Sequence, residues 1–360
     1  MPPSSEEPRR LPAEEPRWLS VHLFFPGGIY TPECDRVVLD TVQPFVRRCH
    51  AEGWVDGYFF IRYSELGPHV RLRFHGRGDV VDETVWPALR AHVEALHPGV
   101  VFEPPTEPPQ PRSHVDTQEG DEARVTHAAL IEYEPETDRY GGPEAVRLAE
   151  RYFEVSSDAT FALLARSGRE RSSRLGKGLL SMVVLAHVFG GTREKAADFM
   201  HQYGIGYLRN IVRSEDGRSA WLGAFDSGFD AQAENLVAYV EEVWSRMDEG
   251  EELSEALDAW HDGLKRIRGE FRELFEAGRL LRQGQEPFGQ WEQAVGGIVS
   301  SYVHMMNNRL GVSIQEEAYL AYLITRALGR PAEAPAAAGD AVETPAGGAE
   351  GAGSAEMAEG

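Results

Sequence analysis

The chain changes texture near residue 140, and that change limits the fold more than any other feature. Ahead of it, Trp18–Phe25 (WLSVHLFF), Trp54–Tyr63 (WVDGYFFIRY), His69–His75 (HVRLRFH) and Ala128–Tyr133 (AALIEY) read as strands, being short and rich in β-branched and aromatic residues. Ser64–Pro68 is a turn-rich link containing Gly-Pro, so FFIRY and HVRLRF form an antiparallel hairpin. Two helices interleave with these strands: Pro32–Glu52, with Val38, Leu39, Val42, Phe45 and Val46 on one side, and Val81–Leu96. Pro143 then sits at a good first-turn position. It opens a series of amphipathic segments at about 143–166, 176–190, 193–211, 229–247, 252–279, 288–307 and 313–328, with no strand of comparable strength. Strands followed by helices define an α+β fold: an antiparallel sheet in the N-terminal part and a large helical C-terminal part.

The ends differ from the middle. Residues 1–16 are rich in Pro, Glu and Arg and lack apolar periodicity. Residues 331–360 are Ala, Gly, Pro and Glu, with six acidic residues and no basic or aromatic ones. Neither segment buries enough apolar surface to offset chain entropy, so both are expected to be disordered and dispensable. The folded part is expected to be one domain over 17–330. Glu103–Arg124, with five prolines, reads as a long exposed loop between two strands.

Charge and cysteine content exclude some classes. The net charge of −22, from 36 basic and 58 acidic residues, disfavours general binding to nucleic acid or anionic lipid. The N-terminal residues contain no apolar signal-peptide core, and no apolar run reaches the ~20 residues of a membrane span. Cys34 and Cys49 are the only cysteines. They fall 15 residues apart on one expected helix, too distant for a disulfide within it, and read as core thiols of a cytoplasmic protein.

Three segments carry candidate chemistry. In HVRLRF, Arg71 and Arg73 point to one face of a strand and Val70, Leu72 and Phe74 to the other. Two guanidinium groups about 7 Å apart form a paired anion site suited to carboxylates, and Arg62 on the neighbouring strand is expected to add a third. A solvated strand face shows the same alternation. In EYEPETDRYGG, Arg139 precedes a Gly-Gly turn that can aim it; a loop arginine paired with Glu134, Glu136 or Asp138 is the alternative. In SSYVHMMNNRLG, His304 lies inside an apolar helix with Asn307, Asn308 and Arg309 close behind. Histidine is the natural proton carrier near neutrality, although a core histidine satisfied by one hydrogen bond fits the same pattern. The twelve histidines contain no H-x-x-x-H pair, and neither a Walker A, a G-x-S-x-G nor a strand-borne G-x-G-x-x-G motif occurs. No metal site is expected.

The order FFIRY, GPHVRLRF, YEPETDRYGG, FEVSSD and SSYVHMMNNRLG resembles one family from about Trp18 to Gly329. It is the C-terminal, glutamate-elimination domain of class I lantibiotic dehydratases, also known as thiopeptide-type bacteriocin biosynthesis proteins. The resemblance implies a stand-alone elimination component of a split dehydratase. Such a lyase removes glutamate from O-glutamylated Ser or Thr of a ribosomal precursor peptide, giving dehydroalanine or dehydrobutyrine. It implies catalytic roles for Arg71, Arg73, Arg139 and His304, and substrate contacts from Arg62, Tyr63, His69, Asn308 and Arg309. The three catalytic arginines are expected to converge on one pocket with His304, with Arg62 close by.

The implied chemistry requires no cofactor: neither metal, nucleotide nor redox group. The implied partners are the precursor peptide, leader plus core, and a separate glutamyl-tRNA-dependent glutamylation protein. Direct contact with nucleic acid or membrane is not implied, and the oligomeric state is left open, a homodimer included. An alternative within the same fold is thiopeptide pyridine synthase. That enzyme performs a formal [4+2] cycloaddition of two dehydroalanines, with macrocycle formation and leader release. A scaffold that only recruits the peptide is the non-enzymatic alternative.

Overall fold

The structure is a computed structural model that describes residues 14–103, 123–166 and 171–329. The expectations for 1–16, 331–360 and the Glu103–Arg124 loop lie, apart from a few flanking residues, outside the described residues. The chain divides into two compact units: Met1–Ile29 with Glu33–Glu134, and Tyr30–Pro32 with Pro135–Gly360.

The first unit is built on a five-stranded sheet. Its strands are β1 (Pro16–Phe24), β2 (Gly57–Tyr63), β3 (His69–Arg77), β4 (Val101–Glu103) and β5 (His127–Leu130), in the order β2-β3-β1-β5-β4. All pairings are antiparallel except β4 with β5 at the edge, which are parallel. The short strand β4 is the one that the loop reading of Glu103–Arg124 implies on its N-terminal side, although three residues carry no period to mark it. Register sorts the side chains. Leu19, Val21 and Leu23 of β1 oppose Phe74, Leu72 and Val70 of β3, which in turn oppose Tyr58, Phe60 and Arg62 of β2. Apart from Arg62, this face is an apolar core. The helices α1 (Gln43–Ala51) and α2 (Trp86–Leu96) belong to the same unit, each entered through a widened π-helical turn, Val37–Val42 and Val81–Val85. Phe45 of α1 meets Phe74 edge-on at 5.6 Å and 77°, both fully buried. Such a pair contributes about 0.5–1.5 kcal/mol beyond its buried area. Cys34 and Cys49 are both buried and free, and burial pushes the Cys49 thiol up to about 12.

The second unit is helical: α3 (Ala145–Arg166), α4 (Arg171–Gly190), α5 (Arg193–Ile211), α6 (Glu215–Asp230), α7 (Ala233–Glu249), α8 (Glu255–Glu276), α9 (Ser300–Leu310) and α10 (Ile314–Ala327). A two-residue hairpin, Leu281–Arg282 with Glu286–Pro287, interrupts the series. The helix α9 is reached through Trp291–Ala294 and a π-helical turn, Val295–Val299. Sequence periodicity misses α6, where Gly217, Gly223 and Gly228 blur the apolar stripe. Its start is nevertheless capped, with the Ser214 hydroxyl accepting from Gly217 N. The helix α10 opens with a full capping box between Ser313 and Glu316. Among the described residues no helix is long and apolar enough to cross a membrane.

Candidate active site

In the first unit, strand alternation puts His69, Arg71, Arg73 and His75 on the sheet face opposite the apolar core, level with Phe24, His22, Ser20 and Trp18 of β1. Arg71 and Arg73 are half-buried there. The Arg71 guanidinium lies 3.4 Å from the centre of the Tyr63 ring, and its Nε donates to His69 Nε2 at 3.2 Å. His69 Nδ1 lies 2.8 Å from the carbonyl of Gly67. A carbonyl only accepts, so the ring hydrogen is on Nδ1 and the lone pair faces Arg71. His69 is itself fixed by stacking on His22 at 4.7 Å and by Phe24 at 4.5 Å. Tyr63 and His69 therefore hold Arg71 in place. Arg73 lies over Tyr133 at 4.3 Å and Phe59 at 5.1 Å. Burial pushes the Tyr63 phenol up, against the pull of Arg71.

Arg62 is not part of this array. It pairs in register with Val70 and therefore faces the core side of the sheet, where it is fully buried. Its Nη2 donates to Asp35 Oδ1 at 2.7 Å and its Nη1 to the carbonyl of Ile29 at 3.0 Å. The expected third arginine of the anion site is instead an internal ion pair.

In the second unit, Arg139 and His304 are brought together. The Glu136–Gly142 turn is closed by Tyr140 N to Glu136 O and Gly142 N to Thr137 O. Gly141 has φ +92°, and a Cβ there would lie 2.6 Å from Ile298 Cδ1 and 2.8 Å from Leu280 Cδ1, so only glycine fits. Buried Tyr140 anchors the turn against Phe153 at 5.2 Å. Arg139 then reaches α9, its Nε donating to Ser301 Oγ at 3.1 Å, while Nη1 meets Glu136 at 3.0 Å. The local pairing and the aimed arginine therefore coexist.

Ser301, His304 and Asn308 share one stripe of α9 by helical spacing. His304 and Asn308 are half-buried, and the His304 side chain is 20% exposed. Its Nδ1 lies 3.0 and 3.2 Å from the two carboxyl oxygens of Glu317, which is fully buried on α10. Tyr203 on α5 donates its hydroxyl to the same carboxyl. The Tyr203 and Tyr207 rings lie 4.7 Å apart, and the Tyr207 ring is 5.7 Å from that of His304. Arg139 is close enough to Tyr207 to pull on its ionisation. Burial pushes the Glu317 carboxyl up, with His304 and Tyr203 pulling against it.

Arg309 does not share the stripe. It is fully buried, with Nε on Ser157 Oγ at 3.2 Å, Nη1 on the carbonyl of Met305 at 2.8 Å and its charge over Phe153. That placement ties α9 to α3 and removes Arg309 from any surface a peptide reaches. Sequence reading also missed Ser301, Tyr203, Tyr207 and Glu317. Among the described residues no group of three or more His, Cys, Asp or Glu is arranged to hold a metal ion.

In the second unit, a His–carboxylate pair beside a fixed arginine has the parts for acid–base chemistry. The chain belongs to the family described as lantibiotic biosynthesis dehydratase C-term, whose model matches residues 18–328. Members of this family are enzymes of ribosomal-peptide maturation. Subtilin biosynthesis protein SpaB of Bacillus subtilis is 25% identical over 161 residues, which is 44% of this chain and 13% of SpaB. The chain thus spans a small part of that relative's length. Among solved structures, the pyridine synthase TbtD from thiomuracin biosynthesis has a TM-score of 0.65 at 19% identity, over 87% of this chain and 97% of TbtD. TsrL gives 0.60 at 17% identity, over 87% and 94%. The tRNA-dependent lantibiotic dehydratase MibB from Microbispora sp. 107891 gives 0.54 at 23% identity, over 90% of this chain and 28% of MibB. At these identities the likeness establishes the fold.

Proposed function

We propose that the chain catalyses β-elimination of glutamate from O-glutamylated Ser or Thr in a ribosomal precursor peptide. The observation that carries this reading is the His304–Glu317 pair, set one helical turn from the Ser301 that fixes Arg139. With Nδ1 directed at a carboxylate, Nε2 of His304 is the nitrogen that can take a proton. It removes the peptide Cα proton. The C–H electron pair becomes the Cα–Cβ double bond, the Cβ–O bond breaks, and its electrons leave on the departing carboxylate of glutamate. Arg139 offers a fixed cation for that carboxylate or for the enolate-like oxygen that precedes it. Arg71, held by Tyr63 and His69, and Arg73, held over Tyr133, supply further anion-binding groups on the sheet face. Asn308, on the same stripe of α9 as His304, is proposed to border the substrate, and Tyr63 and buried His69 to position Arg71.

A second reading is pyridine formation by [4+2] cycloaddition. It is supported by the fold match to the pyridine synthase TbtD at a TM-score of 0.65, above the 0.54 to MibB.

The test is incubation with a precursor peptide carrying O-glutamyl serines, without glutamyl-tRNA. Elimination gives one dehydroalanine and one free glutamate per modified serine. His304→Ala abolishes it. Arg139→Ala slows it by roughly 30- to 4,000-fold, the rate equivalent of the ~2–5 kcal/mol attached to a desolvated charge pair. Lysine at 139 restores only part, since it keeps the charge without the fork. A protein that ignores this peptide but converts a fully dehydrated one into a macrocycle with leader release is a pyridine synthase instead.

A further inference from the structure

A fully buried carboxylate is costly unless its hydrogen bonds are complete. Glu317 sits on the core-facing stripe of α10 with none of its side chain exposed. Two different helices serve it: α9 presents His304 Nδ1 to both oxygens, and α5 presents the Tyr203 hydroxyl. Tyr203 has one hydrogen and spends it on Glu317. Both groups in reach of Glu317, the Tyr203 hydroxyl and His304 Nδ1, point toward the carboxylate. Such an inward arrangement favours the anion, against the burial that raises the carboxyl. An anion there accepts from Nδ1 and excludes the alternative imidazole tautomer.

We propose that Glu317 and Tyr203 are positioning residues for His304: together they hold its ring hydrogen on Nδ1 and leave Nε2 as the lone-pair nitrogen that meets the peptide. The inference rests on the elimination reading for the identity of the substrate, but the tautomer it assigns belongs to the resting protein. Neither Glu317 nor Tyr203 touches substrate in this scheme. When Nε2 takes the Cα proton, the imidazolium that forms is already paired with the Glu317 carboxylate, so the charge develops next to a fixed partner. Glutamine at 317 keeps the volume but offers an N–H as well as an oxygen. It can donate to Nδ1, and the ring hydrogen then moves to Nε2, the wrong tautomer for a base.

The groups facing Glu317 also fix the sign of a pH effect. They are His304 from α9, Tyr203 from α5 with Tyr207 behind it, and Glu316 on its own helix. Burial raises the Glu317 carboxyl and Glu316 raises it further, while His304 and Tyr203 lower it. Activity that needs the carboxylate is lost as pH falls through the raised Glu317 value. Removing the Tyr203 hydroxyl removes a donor, so that limb moves to higher pH.

The experiment uses the full chain labelled with 15N-imidazole histidine, with the His304 signals identified by difference against His304→Ala. Wild type shows the hydrogen on Nδ1 and a bare Nε2. In Glu317→Gln the His304 ring shifts to the Nε2–H form or to a mixture. Its kcat on the glutamylated peptide falls by about 10²–10⁴ with KM little changed, as when an amide replaces the carboxylate behind a catalytic histidine. Glu317→Asp recovers part of the Nδ1–H population. Tyr203→Phe retains the tautomer near neutrality but moves the acid limb of kcat upward in pH. A Glu317→Gln protein that keeps the Nδ1–H tautomer, with kcat within about twofold of wild type, overturns the proposal. Where Glu317→Gln does not fold, Tyr203→Phe decides: an acid limb that stays put overturns it. A wild-type protein inert toward the glutamylated peptide, yet showing the tautomer and its loss in Glu317→Gln, removes the elimination reading and leaves the positioning pair standing.

Discussion

Arg62 offers a direct separation of structural from substrate-binding arginines. Its guanidinium is fully buried, the Asp35 side chain facing it is 3% exposed, and the two groups are 2.7 Å apart. Replacing Arg62 with Met strips that carboxylate of the Arg62 charge and leaves the Ile29 carbonyl short of a donor. Breaking a buried pair by removing one partner costs about 3–5 kcal/mol, whereas replacing both partners with apolar groups of similar volume is often close to neutral. The prediction is therefore non-additive: Arg62→Met is severely destabilising, and Arg62→Met with Asp35→Leu recovers most of the loss. In urea, at a slope of about 2 kcal/mol per molar, the single variant moves the unfolding midpoint of the first unit down by about 1.5–2.5 M. The double variant returns most of the way. Peptide KM, measured on the folded fraction, stays where it was. A loss below ~1 kcal/mol, the range of exposed pairs, refutes the assignment. So does a raised KM with stability intact, which would return Arg62 to the substrate.

Gly141→Ala forces a side chain into φ +92° and against Ile298 and Leu280. Backbone strain of this kind costs about 1–3 kcal/mol, so melting falls and Arg139 loses its aim; an unchanged melting temperature and rate would show that the turn is not under that constraint. His97 accepts from Val125 N on Nδ1, bonds Thr41 Oγ1 through Nε2, and is lowered to about 4 by burial, with Arg124 and His92 adding to the effect. Its folded value lies below the ordinary ~6.5 of an unfolded histidine. The stability it confers is complete above that value and is lost as pH falls toward 4. Urea midpoints between pH 7 and 4.5 should decline less steeply in His97→Gln than in wild type; parallel slopes would remove His97 from the account.

The strands were legible because their side chains alternate, and the parity of Arg71 and Arg73 needed nothing more than that. Arg62 was misplaced because parity within one strand does not say which face of the next strand it matches. That depends on the hairpin register. The five residues Ser64–Pro68 pair Tyr63 with His69, so Arg62 meets Val70. A link one residue shorter or longer would turn Arg62 to the other face. In the helical unit the amphipathic segments declared themselves, while α6 did not, because Gly228 is there to admit Tyr319: a Cβ at 228 would lie 2.6 Å from the Tyr319 hydroxyl. Arg139 and His304 stood out as polar residues at a forced turn and in an apolar helix. What joins them, Ser301 on α9 and Tyr203 with Tyr207 on α5, comes from segments far apart in sequence, and spacing alone carries no record of that packing.

Glu317 is the instructive case, because the signal was present in a form that pattern reading passes over. Glu316 and Glu317 are adjacent and chemically identical. Glu316 closes the capping box with Ser313 at the helix entrance. One residue on, the helix has turned about 100°, and Glu317 falls in line with Leu320, Ala321 and Ile324, all buried. A carboxylate on a core stripe is tolerated only where partners await it, so its position on the stripe already demands a donor from a neighbouring helix. The half-buried histidine of α9 and the buried tyrosine of α5 meet that demand. The helix gains no stability from such a residue that leucine would not supply more cheaply. Its presence is better accounted for by what it does to His304, whose second nitrogen it leaves as the one with a lone pair to use.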